Sequence, residues 1–352
     1  MKALNLYGKQ DVRYEETEIP LTENKDDVII KIKKAGICGS DISRFGKIGS
    51  YNPGLTWGHE FSGIVSETGE SVKSVKKGDR VAACPCFPCY KCEFCRQGKF
   101  SKCTDLKVLG GHRKGAFAEY IKIPEANVIK IPDDMDYETA SFIEPLCVVV
   151  HGYNRINIKA GDRVAVVGCG TIGLLAVQWA KILGASEVYA FDTDWRKLEI
   201  AGKTGADYTF NVTEDGYFQK FMNVTENRGA EITVESSGSV SGIADSLSMA
   251  VKGGIVLLLG IPYGDVPLPR ENFEKIIRNE LQVVGSWNSI SAPFPGKEWN
   301  TALNCMSKGK IDVKPLITHR ISLEKAPEMF WKLYKREEFF VKVIIETDNQ
   351  EL

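Results

Sequence analysis

A glycine-rich turn between an apolar strand and a helix is the feature that most restricts the fold of this chain. Gly168, Gly170 and Gly173 form a G-x-G-x-x-G pattern directly after the apolar residues 164–167, and a helix-like stretch, residues 172–183, follows. Gly168 permits a tight turn, Gly170 lets the backbone approach a pyrophosphate at the helix N-terminus, and Gly173 permits close packing of helix on strand. The pattern predicts a doubly wound, dinucleotide-binding parallel sheet.

An acidic residue lies at the position where a dinucleotide-binding site has its ribose contact. Asp192 ends the next strand-like run, 19 residues beyond Gly173, and is expected to hold a ribose 2′-hydroxyl, which favours NAD over NADP because the carboxylate would repel a 2′-phosphate. Thr171 and Ile172 open the helix and are predicted to present backbone N–H groups to the cofactor. Arg196 leaves two interpretations open, a further cofactor contact or a solvent-exposed helix residue.

The pattern of apolar runs divides the chain into a β-rich part and an alternating part. Short β-like runs broken by Gly and Pro fill residues 1–145, whereas strands alternate with helix-like stretches over residues 146–287. The tail, residues 288–352, is predicted to rejoin the first part. We therefore expect an α/β protein with a β-rich catalytic domain (1–145 and 288–352) and a Rossmann domain (146–287) inserted in it, with the active site in the cleft between them.

Four cysteines form a compact array. Cys89, Cys92, Cys95 and Cys103 follow the pattern C-x2-C-x2-C-x7-C, a loop short enough to surround one tetrahedral ion with four thiolates. A closed shell of this kind leaves no open coordination position. The array therefore predicts a structural zinc ion that stabilises a lobe and performs no chemistry.

A second set of possible metal ligands is scattered along the β-rich part. Cys38, His59 with Glu60, and Glu144 each have a plain alternative as a buried thiol, a core histidine or a surface carboxylate. Beside a nicotinamide site, together they would provide the open S/N/O ligand set that catalytic zinc needs.

The motifs around these residues resemble one enzyme family in their order along nearly the whole chain. The Cys38–Asp41 motif, Gly58-His59-Glu60, the four-cysteine array, Glu144-Pro145 and the glycine-rich turn are similar to those of the zinc-dependent medium-chain dehydrogenases, and of their polyol branch in particular. The resemblance implies a GroES-like catalytic domain beside the Rossmann domain, and two zinc ions per chain.

The family resemblance also implies roles at the catalytic zinc. Cys38, His59 and a carboxylate would hold the ion, with Glu60 and Glu144 alternating between direct ligation and contact through water. Asp41 would orient the imidazole of His59, as metal-bound histidines require. Ser40 would relay the substrate's hydroxyl proton. Relatives often carry a histidine three residues after that serine, where this chain has Ser43, so the onward proton path is left open.

Within the polyol branch, residues 285–287, 293–299 and 315–320 look most similar to enzymes of phosphorylated hexitols, so galactitol 1-phosphate is the first expected substrate. A phosphate several carbons from the zinc needs a cationic clamp, for which the sequence offers Arg44, Lys47, Arg113 and Lys297. Alternatives are an unphosphorylated polyol (sorbitol or L-iditol) or L-threonine, for which these cations would be surface charges. A non-catalytic NAD-binding regulator is the alternative from a different class; it would have no use for the scattered ligand set.

Composition excludes other classes of partner. The formal net charge of −1 gives no overall field that would attract nucleic acid, and no apolar run approaches the about 20 residues that span a bilayer. Charged residues interrupt the N-terminal sequence before an apolar segment as long as a signal-peptide core, so we expect a cytoplasmic protein. The resemblance implies a homodimer or homotetramer joined through the edge of the Rossmann sheet.

Overall fold

The computed structural model describes residues 1–347, and the chain divides into two compact units. The first contains Met1–Cys147, Ser289–Lys308 and the chain from Ile317; the second contains Val148–Asn288 and Gly309–Leu316. The sequence-based division, in contrast, places all of residues 288–352 in the first domain. Residues 309–316 lie in the second unit because Gln178 exchanges two hydrogen bonds with the backbone of Asp312, its Nε2 donating at 3.0 Å and its Oε1 accepting at 2.7 Å.

Strands and helices of both units follow in chain order. The strands are β1 (Lys2–Gly8), β2 (Asp11–Glu16), β3 (Asp27–Gly36), β4 (Leu55–Thr56), β5 (Glu60–Thr68), β6 (Arg80–Ala83), β7 (Cys86–Phe87), β8 (Lys107–Val108), β9 (Tyr120–Pro124), β10 (Val128–Lys130), β11 (Arg163–Val167), β12 (Glu187–Asp192), β13 (Tyr208–Asn211), β14 (Ala230–Glu235), β15 (Ala250–Leu258), β16 (Gln282–Gly285), β17 (Ile317–Ser322) and β18 (Lys342–Glu346). The helices are α1 (Gly39–Ser43), α2 (Glu93–Arg96), α3 (Tyr137–Ser141), α4 (Ile143–Tyr153), α5 (Thr171–Ile182), α6 (Trp195–Lys203), α7 (Tyr217–Val224), α8 (Val240–Met249), α9 (Arg270–Arg278), α10 (Lys297–Ser307) and α11 (Ala326–Lys335). A π-helical turn, Arg44–Ile48, follows α1.

The first unit is built on a mixed sheet with strand order β10-β6-β5-β3-β18-β17, in which β9 also pairs with β3. The C-terminal strand β18 runs antiparallel to β3, so the end of the chain completes the sheet formed by its beginning. Large apolar side chains fill the core beneath it; Trp57 stacks on Phe330 with ring centroids 4.7 Å apart. These pairings place the ends of β3, β5 and β18 next to one another, and the candidate metal site lies there.

The second unit is a six-stranded parallel sheet with order β13-β12-β11-β14-β15-β16. Counted from β11, this is the order 3-2-1-4-5-6 of dinucleotide-binding sheets. All five residues of β11 are buried, as expected for a central parallel strand that helices cover on both faces. The predicted combination of a β-rich domain with a doubly wound parallel sheet is confirmed.

In the part of the chain that the structure describes, no helix is both long enough and apolar enough to cross a bilayer.

Candidate active site

The four predicted cysteines converge on one point of the first unit. The sulfur atoms of Cys89, Cys92, Cys95 and Cys103 all lie within 4.8 Å of one another. Backbone N–H groups donate to these sulfurs, with Cys89 N 3.2 Å from Cys103 Sγ and Cys92 N 3.3 Å from Cys89 Sγ. Hydrogen bonds from backbone N–H groups, that of Thr104 foremost, lower the pKa of the Cys92 thiol to about 6. The donor set fits a tetrahedral zinc ion, because four sulfurs at this spacing match its preferred ligands.

An aromatic cluster attaches this lobe to a later segment of the same unit. The rings of Tyr90, Phe100 and Phe294 pack edge to face, with centroids 5.6 to 5.9 Å apart. Gly98 has a positive φ of 71°, and a Cβ atom there would lie 2.7 Å from the Cβ of Ala292. The lobe therefore packs closely against the loop that precedes α10.

A second group of ligand atoms lies where β3 ends and β5 begins. One ligand atom each of Cys38, His59 and Glu60 falls within 4.8 Å of the other two. Cys38 follows β3 and caps the N-terminus of α1, while Glu60 pairs in register with Gly36. A Cβ atom on Gly36 would lie 2.5 Å from Glu60 Oε2, so glycine is required there for the carboxylate to occupy this position. Sulfur, imidazole and carboxylate in one group, with three protein ligands, fit a zinc site that keeps an open position.

Glu144 lies beside this group without joining it. Its carboxylate oxygens do not lie within 4.8 Å of all three other ligand atoms. Burial raises the pKa of the Glu144 carboxyl to about 7, with the charge of His59 opposing and that of Glu60 reinforcing the shift. In the described geometry Glu60 belongs to the ligand group and Glu144 is a near neighbour, so the predicted alternation between the two carboxylates is a proposal.

Asp41 lies next to His59. Its Oδ1 lies 3.6 Å from His59 Nδ1, and its Oδ2 accepts a hydrogen bond from the backbone N–H of Cys38 at 3.0 Å. Burial opposes protonation of His59, but the Asp41 carboxylate, together with Cys38 and Glu144, outweighs it and raises the pKa of the imidazole well above its ordinary value. Ser40 precedes Asp41 in the first turn of α1 and is half-buried.

Lys342 is a part of this site that sequence reasoning missed. Its Nζ lies 2.5 Å from Glu60 Oε2, both side chains are 2% exposed, and it also donates to the carbonyl oxygen of Ile37 at 3.2 Å. Although burial disfavours the ammonium, Glu60 raises the pKa of Lys342. The sequence feature that could have identified this residue is a single lysine within the otherwise apolar run of residues 339–345. A charged residue inside a buried strand requires a partner.

The glycine-rich turn of the second unit has the shape that the pattern predicts. Gly168 has a φ of 93°, and α5 begins directly after Gly170. A Cβ atom on Gly173 would lie 1.7 Å from the carbonyl oxygen of Gly168, whereas one on Gly170 would meet nothing within 4 Å. Gly170 therefore leaves open space above the N-terminus of α5, next to Thr171 and Ile172. This cradle fits a pyrophosphate.

Asp192 lies at the carboxyl end of β12 and is held by two backbone N–H groups. Its Oδ2 accepts from Cys169 at 2.7 Å and its Oδ1 from Asp194 at 3.0 Å, so the carboxylate lies against the glycine-rich turn. Arg196 is exposed, and its guanidinium contacts both oxygens of Asp194, at 3.0 and 2.6 Å.

The four cations predicted to clamp a phosphate lie in different environments. Lys47, Arg113 and Lys297 are exposed, and Arg113 lies over the ring of Phe87 at 4.2 Å. Arg44 is half-buried and its Cζ lies 4.5 Å from the ring centroid of Tyr51. Its Nη1 atom is buried and makes no hydrogen bond among the described residues.

Comparisons with known proteins place both units in families. Residues 24–133 match the family described as "Alcohol dehydrogenase GroES-like domain", and residues 171–308 match the family described as "Zinc-binding dehydrogenase". The first match confirms the predicted GroES-like domain.

Whole-chain relatives carry several substrate names. The chain is 38% identical to galactitol 1-phosphate 5-dehydrogenase of Escherichia coli over 89% of this chain and 90% of that enzyme. It is 37% identical to an L-threonine 3-dehydrogenase of Bacillus velezensis over 87% and 88%, and 32% identical to sorbitol dehydrogenase of Bacillus subtilis over 98% and 97%. The crystal structure of galactitol-1-phosphate dehydrogenase from Escherichia coli superimposes with a TM-score of 0.93 at 36% identity, covering 99% of this chain and 100% of that one.

Proposed function

The chain belongs to the zinc-containing family of medium-chain alcohol dehydrogenases, and on that premise we propose that it transfers a hydride from a secondary hydroxyl of a sugar alcohol to NAD, giving the ketose. The observation that carries the proposal is the group of Cys38, His59 and Glu60, whose ligand atoms lie within 4.8 Å of one another. A regulator that only binds NAD would gain nothing from an open ligand set. The four-cysteine lobe would hold a second zinc ion for stability alone.

The residues around the open ligand set have separate tasks in this proposal. When bound, zinc supplies the Lewis acidity that lowers the pKa of a substrate hydroxyl, and NAD accepts the hydride. Asp41 fixes the ring orientation of His59. Ser40 takes up the hydroxyl proton and passes it onward. Glu144 stands near enough to exchange with Glu60 as the carboxylate ligand.

NAD is the proposed cofactor, bound by the glycine-rich turn and by Asp192 at the ribose. Two features support NAD over NADP: a carboxylate at position 192 repels a 2′-phosphate, and Arg196 is engaged by Asp194. Because that ion pair occupies Arg196, a contact between its guanidinium and the cofactor would require the pair to open.

A phosphorylated hexitol, galactitol 1-phosphate first, is the proposed substrate. Of the four candidate cations, Arg44 supports this best. Its Nη1 is buried and makes no hydrogen bond in the part of the chain that the structure describes, and such a nitrogen costs about 1–3 kcal/mol unless a ligand supplies an acceptor. Arg44 also lies close enough to the catalytic group for its charge to act on Asp41. The bacterial relative named for galactitol 1-phosphate supports the same choice.

A homodimer, or a tetramer assembled from two such dimers, is the proposed assembly. Strand β16 is at the edge of the six-stranded sheet, with β15 as its hydrogen-bonded neighbour. Val283 on this strand and Trp287 just after it are 40% and 53% exposed. An exposed apolar edge strand favours pairing with a second copy. We also propose a cytoplasmic location, where reduced thiolates remain available as zinc ligands.

Steady-state kinetics with four substrates test the proposed function. We expect kcat/KM with NAD to be highest for galactitol 1-phosphate, lower for sorbitol 6-phosphate, and lower again for sorbitol and L-threonine. If sorbitol or L-threonine exceeds both phosphates, the phosphate assignment is wrong. If none of these compounds, nor L-iditol, reduces NAD or NADP, the proposed activity itself is wrong.

A further inference from the structure

A buried carboxylate that has no cationic partner among residues 1–347 lies at the carboxyl end of β14. Glu235 has 0% of its surface exposed, and its Oε1 accepts hydrogen bonds from Ser237 N at 2.8 Å, Ser237 Oγ at 2.5 Å and Gly238 N at 3.0 Å. These donors are neutral and belong to Ser237 and Gly238, the second and third residues after Glu235. Burying a carboxylate is costly, so we look for its role in the backbone groups to which it is hydrogen-bonded.

The surrounding backbone leaves room for this carboxylate. A Cβ atom on Gly260 would lie 2.4 Å from Glu235 Oε2, and one on Gly242 would lie 3.0 Å from its Oε1. Gly238 has a φ of 64°, which lets the chain turn back so that its N–H group faces the carboxylate. Glu235 therefore fixes the conformation of the loop Ser236–Gly238, which we call the β14 loop.

This β14 loop in turn contacts the glycine-rich turn. Ser236 Oγ lies 2.7 Å from the carbonyl oxygen of Gly168, to which it donates a hydrogen bond, and a Cβ atom on Gly168 would lie 2.8 Å from the Cβ of Ser237. The Gly168 carbonyl is the group that occupies the space above Gly173. A continuous series of contacts thus joins the buried carboxylate to the turn whose Gly170 leaves room for a pyrophosphate.

We propose that Glu235 is a positioning residue for dinucleotide binding, because it fixes the β14 loop that supports the Gly168 carbonyl and so holds the glycine-rich turn in its binding shape. The inference rests on the proposed NAD-dependent function. Glu235 itself is fully buried and acts through Ser236 and Ser237. Its removal should therefore weaken cofactor binding and leave the zinc site of the other unit untouched.

Glu235→Gln is the direct test. Glutamine has the same size, and its carbonyl oxygen can still accept the hydrogen bonds that reach Oε1, but as a neutral group it holds them more weakly than a carboxylate does. Its NH2 group replaces Oε2, which accepts from Gly238 N at 3.2 Å, so that contact is lost and the loop is held less firmly. We expect the Kd for NAD to rise at least about tenfold, while kcat at saturating NAD and the KM for the polyol stay within about twofold of wild type. Amide exchange at Ser237 and Gly238 should be slow in the cofactor-free wild-type protein and fast in the variant.

Glu231→Gln is the matched control on the same strand. Glu231 lies at the opposite end of β14 and pairs with Arg163 of β11 through contacts at 2.6 and 3.0 Å, so it links the same two strands away from the turn. This variant should lose stability yet keep the wild-type Kd for NAD. If it raises the Kd as much as Glu235→Gln does, general destabilisation explains the effect and the proposal is overturned.

Ser236→Ala provides a second variant in case Glu235→Gln does not fold. It removes only the hydroxyl that supports the Gly168 carbonyl, and we expect the Kd for NAD to rise about three- to tenfold. Wild-type affinity in either folded variant would overturn the positioning role while leaving the proposed function intact. A wild-type protein that binds neither NAD nor NADP would overturn the proposed function, and the positioning role with it.

Discussion

Lys342 and Glu60, which are 282 positions apart in the chain, form a buried ion pair across the sheet of the first unit, with Lys342 Nζ 2.5 Å from Glu60 Oε2. Because that carboxylate belongs to the ligand group with Cys38 and His59, strand β18 supplies the counter-charge of one ligand in the proposed catalytic zinc site.

Replacing Lys342 with methionine should destabilise the protein by about 3–5 kcal/mol, because it leaves the Glu60 carboxylate buried without its partner. Urea denaturation measures the change. The double variant Lys342→Met/Glu60→Gln should recover part of the loss. The control is Lys332→Met, which removes a lysine from a more exposed pair with Glu338 at 3.0 Å and should cost less than about 1 kcal/mol. Equal losses in the two lysine variants would contradict the importance of the buried pair.

Arg44→Ala should lower kcat/KM for the phosphorylated substrate about ten- to a hundredfold, because a charge-assisted contact contributes about 1.5–3 kcal/mol. The effect on sorbitol should be less than about threefold. Arg113→Ala is the control, since this cation is exposed and lies over Phe87, and it should change neither value by more than about twofold. A larger loss of kcat/KM from Arg113→Ala than from Arg44→Ala would show that Arg113, and not Arg44, contacts the phosphate.

Asp192→Asn should reduce the preference for NAD over NADP at least about tenfold, measured as the ratio of the two kcat/KM values. The amide keeps an acceptor for backbone N–H groups but removes the charge that repels a 2′-phosphate. Arg196→Ala should leave the KM for NAD within about twofold, because Asp194 already engages the guanidinium. An unchanged cofactor ratio in Asp192→Asn would show that another group selects the cofactor.

Val283→Lys should shift the protein towards monomers in sedimentation equilibrium, because a charged side chain in the middle of an edge strand opposes pairing with a second copy. The exposed position on β16 can accept lysine without disturbing the core. Lys252→Glu, on β15, changes a charge at an exposed position of the neighbouring strand and is the control. An unchanged mass would place the interface elsewhere.

Local motifs of the fold and the candidate site could be predicted from the sequence. The glycine-rich turn, the spacing of Asp192 and the four-cysteine loop each depend on residues that are close in the chain, and their geometry follows from that spacing. The alternation of strands and helices similarly indicated the parallel sheet.

Contacts that depend on register between distant strands could not be predicted. Lys342 reaches Glu60 only because β18 pairs with β3 and β3 with β5. Motif spacing also could not show which of Glu60 and Glu144 belongs to the ligand group, because each lies at the start of a regular element. Glu60 begins β5, and Glu144 lies in the first turn of α4. The burial of Glu235 depends on three glycines from separate segments, and no pattern in its own strand distinguishes it from Glu231.

Zinc content measured together with NAD reduction tests the central claim most directly. The account predicts about two zinc ions per chain, of which a mild chelator removes one in step with the loss of polyol-dependent NAD reduction, while the four-cysteine site keeps the other. Cys38→Ser should hold one ion and lack activity without unfolding. A single tightly held ion per chain, with activity unchanged by chelation or by Cys38→Ser, would contradict it.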